Sequence, residues 1–318
     1  MEDLVSIIIP TYNRANLIEE TLDSIIRQTH QNWECIVVDD GSEDHTDKII
    51  LKYREKDKRF HFYKRPLNRS KGGNAARNFG FKKSRGAYIK WFDSDDLMDH
   101  DLIESQLNDL IKKNKKISVC LFDRYSSDFS NIEIKAKPNC IKLNAYYDFV
   151  TTKIKINLPT VLWHRTVIEP FELDESLTKS QEYDFIQKVL KNNYKEVLLL
   201  NMSLVRVRNH ADSITGNYFL QDTKKVKSSM EVKLRVLNDI TSDTPILVKT
   251  DLVKLYFKAL FKVFKFKKTK LLYYYLFKIY GLKELQIKFM VIKVGILYFI
   301  YFFTGKGAVY YNKILSNE

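Results

Sequence analysis

Three carboxylates crowd into four positions at residues 93–96, where the sequence reads Asp-Ser-Asp-Asp and the acidic side chains are Asp93, Asp95 and Asp96. An apolar run, Tyr-Ile-Lys-Trp-Phe at 88–92, leads straight into them. Like charges at the end of a strand repel one another and resist desolvation unless a cation or hydrogen-bond donors balance them. An all-oxygen carboxylate set suits Mg²⁺ or Mn²⁺, and Mg²⁺ keeps waters and takes its remaining ligands from a substrate's phosphates. The competing reading is that Asp95 or Asp96 caps a helix starting near Asp99, which accounts for one side chain but not for three.

The elements that must position this acidic end are legible upstream. Residues 5–10, Val-Ser-Ile-Ile-Ile-Pro, read as a buried strand, and 11–14, Thr-Tyr-Asn-Arg, as a turn. Leu17, Ile18, Leu22, Ile25 and Ile26 form the apolar stripe of a following helix. A second apolar strand at 35–38 ends in the polar turn Asp39, Asp40, Gly41, Ser42. Strand, helix, strand in this order predicts an α/β fold with a parallel sheet, which binds ligands beyond the carboxyl ends of its strands. Tyr12, Asp39, Asp40 and the acidic trio all fall at such ends.

Four ordered segments now carry a resemblance: residues 5–14 (VSIIIPTYNR), 37–42 (VVDDGS), 72–80 (GGNAARNFG) and 93–96 (DSDD). With their spacing, the first 215 or so residues resemble family 2 glycosyltransferases of the GT-A fold. The resemblance implies a nucleotide-diphosphate-sugar donor, usually a UDP-sugar, a divalent metal, and usually inversion at the anomeric carbon. It makes Tyr12 the stacking partner of the base, with Pro10, Thr11 and Asn13 in the same donor pocket. Asp40, and after it Asp39, would accept from base or ribose, and an aromatic face beside an acceptor can read an imide N–H. The alternative for one of the two is that it only closes the turn before Gly41. Asp95 is the metal ligand by this pattern, with Asp93 and Asp96 holding ribose, water or metal. Arg77 or Lys71 would reach the diphosphate, while the bland reading packs Ala75, Ala76 and Gly80 against the sheet and pairs Arg77 with a carboxylate.

An acceptor hydroxyl attacking an anomeric carbon must lose its proton to a base. Residues 171–185 resemble the family segment that supplies it at a helix start; aligned on Phe185, the base falls on Glu182, with Asp184 the alternative. Here the chain has Gln181-Glu182 where the family more often has Glu-Asp. Both carboxylates also suit a helix N-terminus on purely structural grounds. His210, after Arg206 and Arg208, matches the family's Arg-x-His element, whose imidazole completes metal coordination or faces the diphosphate. Cys35, Cys120 and Cys140 have no zinc-ligand spacing, and two of them sit in apolar runs, as in a reducing compartment.

Charge divides the chain. Residues 223–318 hold 19 Lys and Arg against 6 Asp and Glu, net +13, leaving 34 against 33 for the first 222. In this tail lysines alternate with aromatics, which describes a basic amphipathic element able to lie on an anionic bilayer, or helices whose lysine stems cover a protein surface. Residues 289–303 are strongly apolar but broken by Lys293, and fifteen helical residues span about 22 Å against a bilayer core of about 30 Å. Interfacial or re-entrant insertion is therefore expected over a span. The start of the chain reads directly into the first strand, so the expectation is that it carries no signal peptide. The expected organisation is a GT-A catalytic domain at 1–220 and a basic, aromatic-rich, mostly helical extension at 221–318. The expected location is cytoplasmic, on the inner face of the membrane. The expected partners are a nucleotide-sugar donor, a glycan or lipid-linked glycan acceptor and an anionic membrane surface, with no nucleic acid; the sequence is silent on oligomeric state. Two other classes compete: a nucleotidyltransferase, which would want a Gly-rich basic loop after the first strand, and a noncatalytic nucleic-acid- or membrane-binding protein.

Overall fold

A computed structural model describes residues 3–209, 222–265, 268–281 and 285–304. The chain divides into two compact units, Met1–Ile214 and Thr215–Glu318.

The first unit opens with β1 (Val5–Thr11), α1 (Ile18–Ile26), β2 (Trp33–Asp39), α2 (Thr46–Lys56), β3 (Phe60–Lys64), α3 (Gly73–Lys83) and β4 (Tyr88–Trp91). It continues with β5 (Leu97–Met98), α4 (Leu102–Lys113), β6 (Ile117–Tyr125), β7 (Ile132–Ile134), α5 (Ala145–Val150), β8 (Val161–His164), α6 (Arg165–Ile168), α7 (Gln181–Asn193) and β9 (Val197–Arg208). These strands form one mixed sheet in the order β3-β2-β1-β4-β8-β6-β9-β5, with β7 beside β6. The β3-β2-β1-β4 half is parallel throughout. β8 enters between β4 and β6 antiparallel to both, and β6 pairs β9 parallel. Helices flank this sheet, as the α/β reading expects.

The sequence dictates the parallel half directly. β2 is buried at every position and β1 at all but Pro10, and strands covered on both faces read as continuous runs of Val, Ile and Cys. α3 lies close on them because its inner face is small. A Cβ placed on Gly80 would stand 2.5 Å from a methyl carbon of Ile8, so only glycine permits the approach. Helix α4 begins at Leu102 rather than near Asp99, because residues 97–98 pair with β9 first.

Strand order reverses at β1. The chain crosses from β1 to β2 on one side and returns from β3 to β4 on the other. The carboxyl ends of β1 and β4 therefore flank the topological switch point, where an open α/β sheet leaves a crevice. Thr11 to Asn13 follow β1 there, and Asp93 to Asp96 follow β4.

The second unit comprises α8 (Thr223–Asn238), α9 (Ile246–Lys265), α10 (Thr269–Tyr280) and α11 (Leu285–Thr304). Val232, Val236, Phe257, Leu260, Leu276 and Ile279 are buried among these helices. Tyr256 donates its hydroxyl to the Tyr275 carbonyl at 2.9 Å, and the hydroxyls of Thr269 and Tyr298 lie 2.7 Å apart. Phe277, Phe299 and Phe303 remain 78%, 62% and 70% exposed, so the unit presents aromatic side chains outward. Among the described residues no helix is long and apolar enough to cross a membrane.

Candidate active site

The turn after β1 is built by side chains that hold backbone. Asn13 adopts a left-handed conformation (φ 50°), its amide N–H donates to Ser42 Oγ at 2.9 Å, and its Oδ1 accepts the Glu43 N–H at 2.9 Å. This locks the turn to the one after β2. Asp39 closes that second turn, accepting the Ser42 N–H at 3.1 Å across Gly41, whose φ of 93° suits glycine. Asp40 donates its N–H to the Thr11 carbonyl at 2.9 Å, while its carboxylate is ion-paired with Arg65. Tyr12 stays 38% exposed, with Lys71 Nζ 4.1 Å from its ring centroid. Thr11 Oγ1 is buried and finds no hydrogen-bond partner among the described residues. Pro10 stands beside Val38 in the sheet register.

The acidic end of β4 is met by cations from other elements. Arg77, on α3, donates to Asp93 Oδ1 at 2.6 Å, and its own Nε is buried with no partner among the described residues. Arg14 Nε stands 3.4 Å from Asp95 Oδ2, and the Asp95 side chain is 20% exposed. Asp96 turns inward: its Oδ1 accepts the Arg208 N–H at 3.0 Å, and its carbonyl accepts the Thr21 hydroxyl at 2.9 Å. Burial, then the neighbouring Asp93 and Asp95 charges, push Asp96 well above the ordinary carboxylate range. Burial likewise raises Asp93, partly offset by the Arg77 guanidinium. Like-charge repulsion in a desolvated site is the physical cause throughout.

Helix α7 brings a further carboxylate. Phe185 is buried and meets Trp91 and Trp163 edge-on, so the start of α7 is set against the strand that carries the acidic end. Glu182, one turn earlier, accepts the Leu158 N–H at 3.2 Å. Burial raises its pKa, the Asp93 charge raises it further, and Arg77 lowers it. Asp184 faces the other way, buried and ion-paired with Lys188 on its own helix. The two candidates for the base are thus separated by orientation.

The segment before α7 hangs from α3. Asn78 donates to the Leu173 carbonyl at 2.8 Å and accepts the Leu173 N–H at 3.0 Å, and Asn74 donates to the Asp174 carbonyl at 2.7 Å. These asparagines, with Arg14 and Arg65, were not singled out from the sequence. The available signal was Asn74 and Asn78, four apart beside Ala75 and Ala76, which puts amides on the same face as the small buried residues.

Tyr12, Asp93, Asp95, Arg77 and Glu182 thus belong to strand ends and helix starts around the switch point. Asp96, Asp39 and Asp40 are held there by partners of their own. His210 lies outside the described residues. Among the described residues no three His, Cys, Asp or Glu side chains converge into a ready-made metal cage.

A mixed α/β sheet with an acidic switch-point site is the arrangement the sequence's resemblance to the GT-A fold leads one to expect. Residues 6–168 match the model of the glycosyl transferase family 2. An uncharacterized glycosyltransferase from Rickettsia typhi is 33% identical over 234 residues, covering 71% of this chain and 70% of its own length. An Escherichia coli protein named UDP-Glc:alpha-D-GlcNAc-diphosphoundecaprenol beta-1,3-glucosyltransferase is 28% identical over 233 residues, covering 73% of this chain and 86% of its own. Staphylococcus aureus TarS residues 1–349, solved in complex with UDP-GlcNAc, superposes with a TM-score of 0.60 at 18% identity, over 82% of this chain and 73% of that one. The chain spans only about a third of the length of the Rickettsia bellii and Rickettsia felis relatives it matches. The chain belongs to glycosyltransferase family 2.

Proposed function

We propose that this chain moves a sugar, with inversion, from a nucleotide-diphosphate donor, a UDP-sugar, to a hydroxyl of a glycan or lipid-linked glycan, in the presence of Mn²⁺ or Mg²⁺. The observation that carries the reading is the gathering of Asp93, Asp95 and Arg77 at the end of β4, close enough to Glu182 that the Asp93 charge raises its pKa. The name of the E. coli relative supports a UDP donor and a lipid-linked acceptor. Family membership supports this reading over the nucleotidyltransferase and noncatalytic ones.

In this reading Tyr12 offers its exposed ring to the base, with Pro10, Thr11 and Asn13 framing the pocket. Asp40, shared with Arg65, and Asp39 supply acceptors for base or ribose. Asp93 and Arg77 act at the diphosphate. The residues present fit a divalent ion by their chemistry: Asp95 and Asp96 offer hard oxygen donors in a site whose carboxylates raise one another's pKa, and His210 would complete the set. A bound Mn²⁺ or Mg²⁺ would offset the charge growing on the departing diphosphate. Glu182 takes the acceptor hydroxyl's proton as the oxygen bonds to the anomeric carbon and the bond from that carbon to the diphosphate oxygen breaks. Its raised pKa makes it a better proton acceptor than an ordinary carboxylate once ionised. Asp184, turned toward Lys188, has no part in this step.

The basic, outward-facing helical unit supports residence on an anionic surface, at the cytoplasmic inner face of a membrane. The deciding experiment presents UDP-glucose, UDP-N-acetylglucosamine and GDP-mannose with Mn²⁺ or EDTA, together with a membrane lipid extract. Metal-dependent consumption of a UDP-sugar with product in the lipid phase is expected. Transfer that ignores EDTA, or that uses only the GDP-sugar, overturns the reading.

A further inference from the structure

The helical unit contains a cavity of about 760 Å³ whose lining residues have no role in the transfer step proposed above. Its walls come from α8 and from the first turns of α10, and three of its lining side chains are lysines: Lys227, Lys268 and Lys270. None of the three ammonium groups has an ion pair or hydrogen bond among the described residues. The one carboxylate in the lining, Glu231, accepts the buried Tyr275 hydroxyl at 3.2 Å. The three lysines stand exposed around the opening, and three cations against one engaged carboxylate leave it with a surplus of about two positive charges that draws an anion.

The size and the remaining wall define what that anion carries. A volume of several hundred Å³ is that of a pocket for a whole small ligand, far beyond an inorganic ion. Tyr275 and the half-exposed Tyr274 line it with aromatic surface. On the same helix Phe277 stands 78% exposed. Lysine is a compact point charge that binds phosphate from several directions. We propose that this cavity binds a phosphate monoester or diphosphate borne on an apolar body, with Lys227, Lys268 and Lys270 on the phosphate and Tyr274 against the body. The phosphate belongs either to a lipid head group or to a soluble ester.

The test uses the full chain in EDTA, without sugar transfer, so that failure of the catalytic reading leaves it standing. Three proteins are compared: wild type, the cavity triple Lys227→Gln, Lys268→Gln, Lys270→Gln, and a control triple, Lys249→Gln, Lys254→Gln, Lys258→Gln, which removes equal charge outside the lining. Vesicles of phosphatidylcholine with phosphatidic acid are set against vesicles with phosphatidylglycerol at matched surface charge, and inorganic pyrophosphate is titrated by calorimetry. Wild type and the control triple should prefer the phosphomonoester vesicles about tenfold, and the cavity triple should lose that preference. Vesicle preference without pyrophosphate heat assigns a lipid head group; pyrophosphate heat lost only in the cavity triple, without vesicle preference, assigns a soluble ester. Equal losses in both triples, or neither vesicle preference nor pyrophosphate heat in wild type, overturn the proposal. Should the cavity triple melt early, Lys227→Gln alone and the charge-keeping Lys227→Arg replace it, with loss expected only in the first.

Discussion

Phe185 meets Trp91 edge to face, with ring centroids 5.2 Å apart and planes at 82°. Two residues beyond Trp91 stands Asp93; one helical turn before Phe185 stands Glu182. This apolar contact therefore sets the spacing of two carboxylates from elements about ninety residues apart in sequence, in a region where burial and the Asp93 charge hold Glu182 above its ordinary pKa.

Asp95→Asn should abolish Mn²⁺-dependent UDP binding and leave the fold intact, since it lightens the charge that raises Asp93 and Asp96. Calorimetry with and without Mn²⁺ reads the first effect and thermal melting the second. Undiminished metal-dependent binding would remove Asp95 from the metal site.

Glu182→Gln should slow transfer about 10² to 10⁴-fold with donor affinity unchanged. The pH profile carries a second signature. A base must be ionised, so activity falls as pH drops through the raised Glu182 pKa. Because Arg77 lowers that pKa, Arg77→Ala should move the acid limb to higher pH. Asp184→Asn should act on stability instead, by about 1 kcal/mol, since the side chain is buried against Lys188. Slow turnover in the Asp184 variant with normal turnover in the Glu182 variant would exchange their roles.

Lys90 is fully buried in β4, donating to Gln106 Oε1 at 2.9 Å, and burial lowers its pKa to about 8. A lysine with a depressed folded-state pKa costs stability while charged in both states, and that cost is relieved as pH rises from about 8 toward its ordinary value of 10.5. Relative to Lys90→Met, wild type should gain about 2 kcal/mol between pH 7.5 and 9.5. Urea unfolding of both proteins at the two pH values measures it. Parallel pH dependence would mean that Lys90 keeps its ordinary pKa and stays charged in the folded state.

Replacing Lys258, Lys262, Lys265 and Lys267 with Gln should weaken sedimentation with anionic vesicles and flatten its salt dependence, because each basic residue near such a surface contributes roughly 1 kcal/mol. Salt-insensitive retention of the variant would shift the attachment from charge to the exposed aromatics of α10 and α11.

The parallel half of the sheet was legible because burial on both faces writes itself as unbroken apolar runs, as in residues 5–10 and 35–38. β8 was not. Its four residues, Val161–His164, follow Pro159 in a stretch without periodicity, and their antiparallel place between β4 and β6 is decided by pairing with strands over forty residues away. The full length of β9 is equally hidden, since polar and exposed residues at 201–203 interrupt an apolar pattern that resumes at Leu204 after a register shift. At the site, carboxylate clustering was visible as composition, whereas the choice of Arg77 for Asp93 and of Lys188 for Asp184 depends on which way each side chain turns. The break in charge at 222/223 falls a few residues beyond the division of the two compact units at 214/215.

Asn78 meets Leu173 as a strand edge would, giving one hydrogen bond and taking another. The helix that carries it has no freedom to slide, because Gly80 sits against Ile8 with no room for a methyl group. Residues 173–174 are therefore hung from the stiffest part of the sheet, and the lead into α7 should not open in local excursions. On heating, catalytic competence should vanish with the melting of the sheet itself: inactivation and unfolding curves superimpose, with no window in which a folded enzyme has already gone silent.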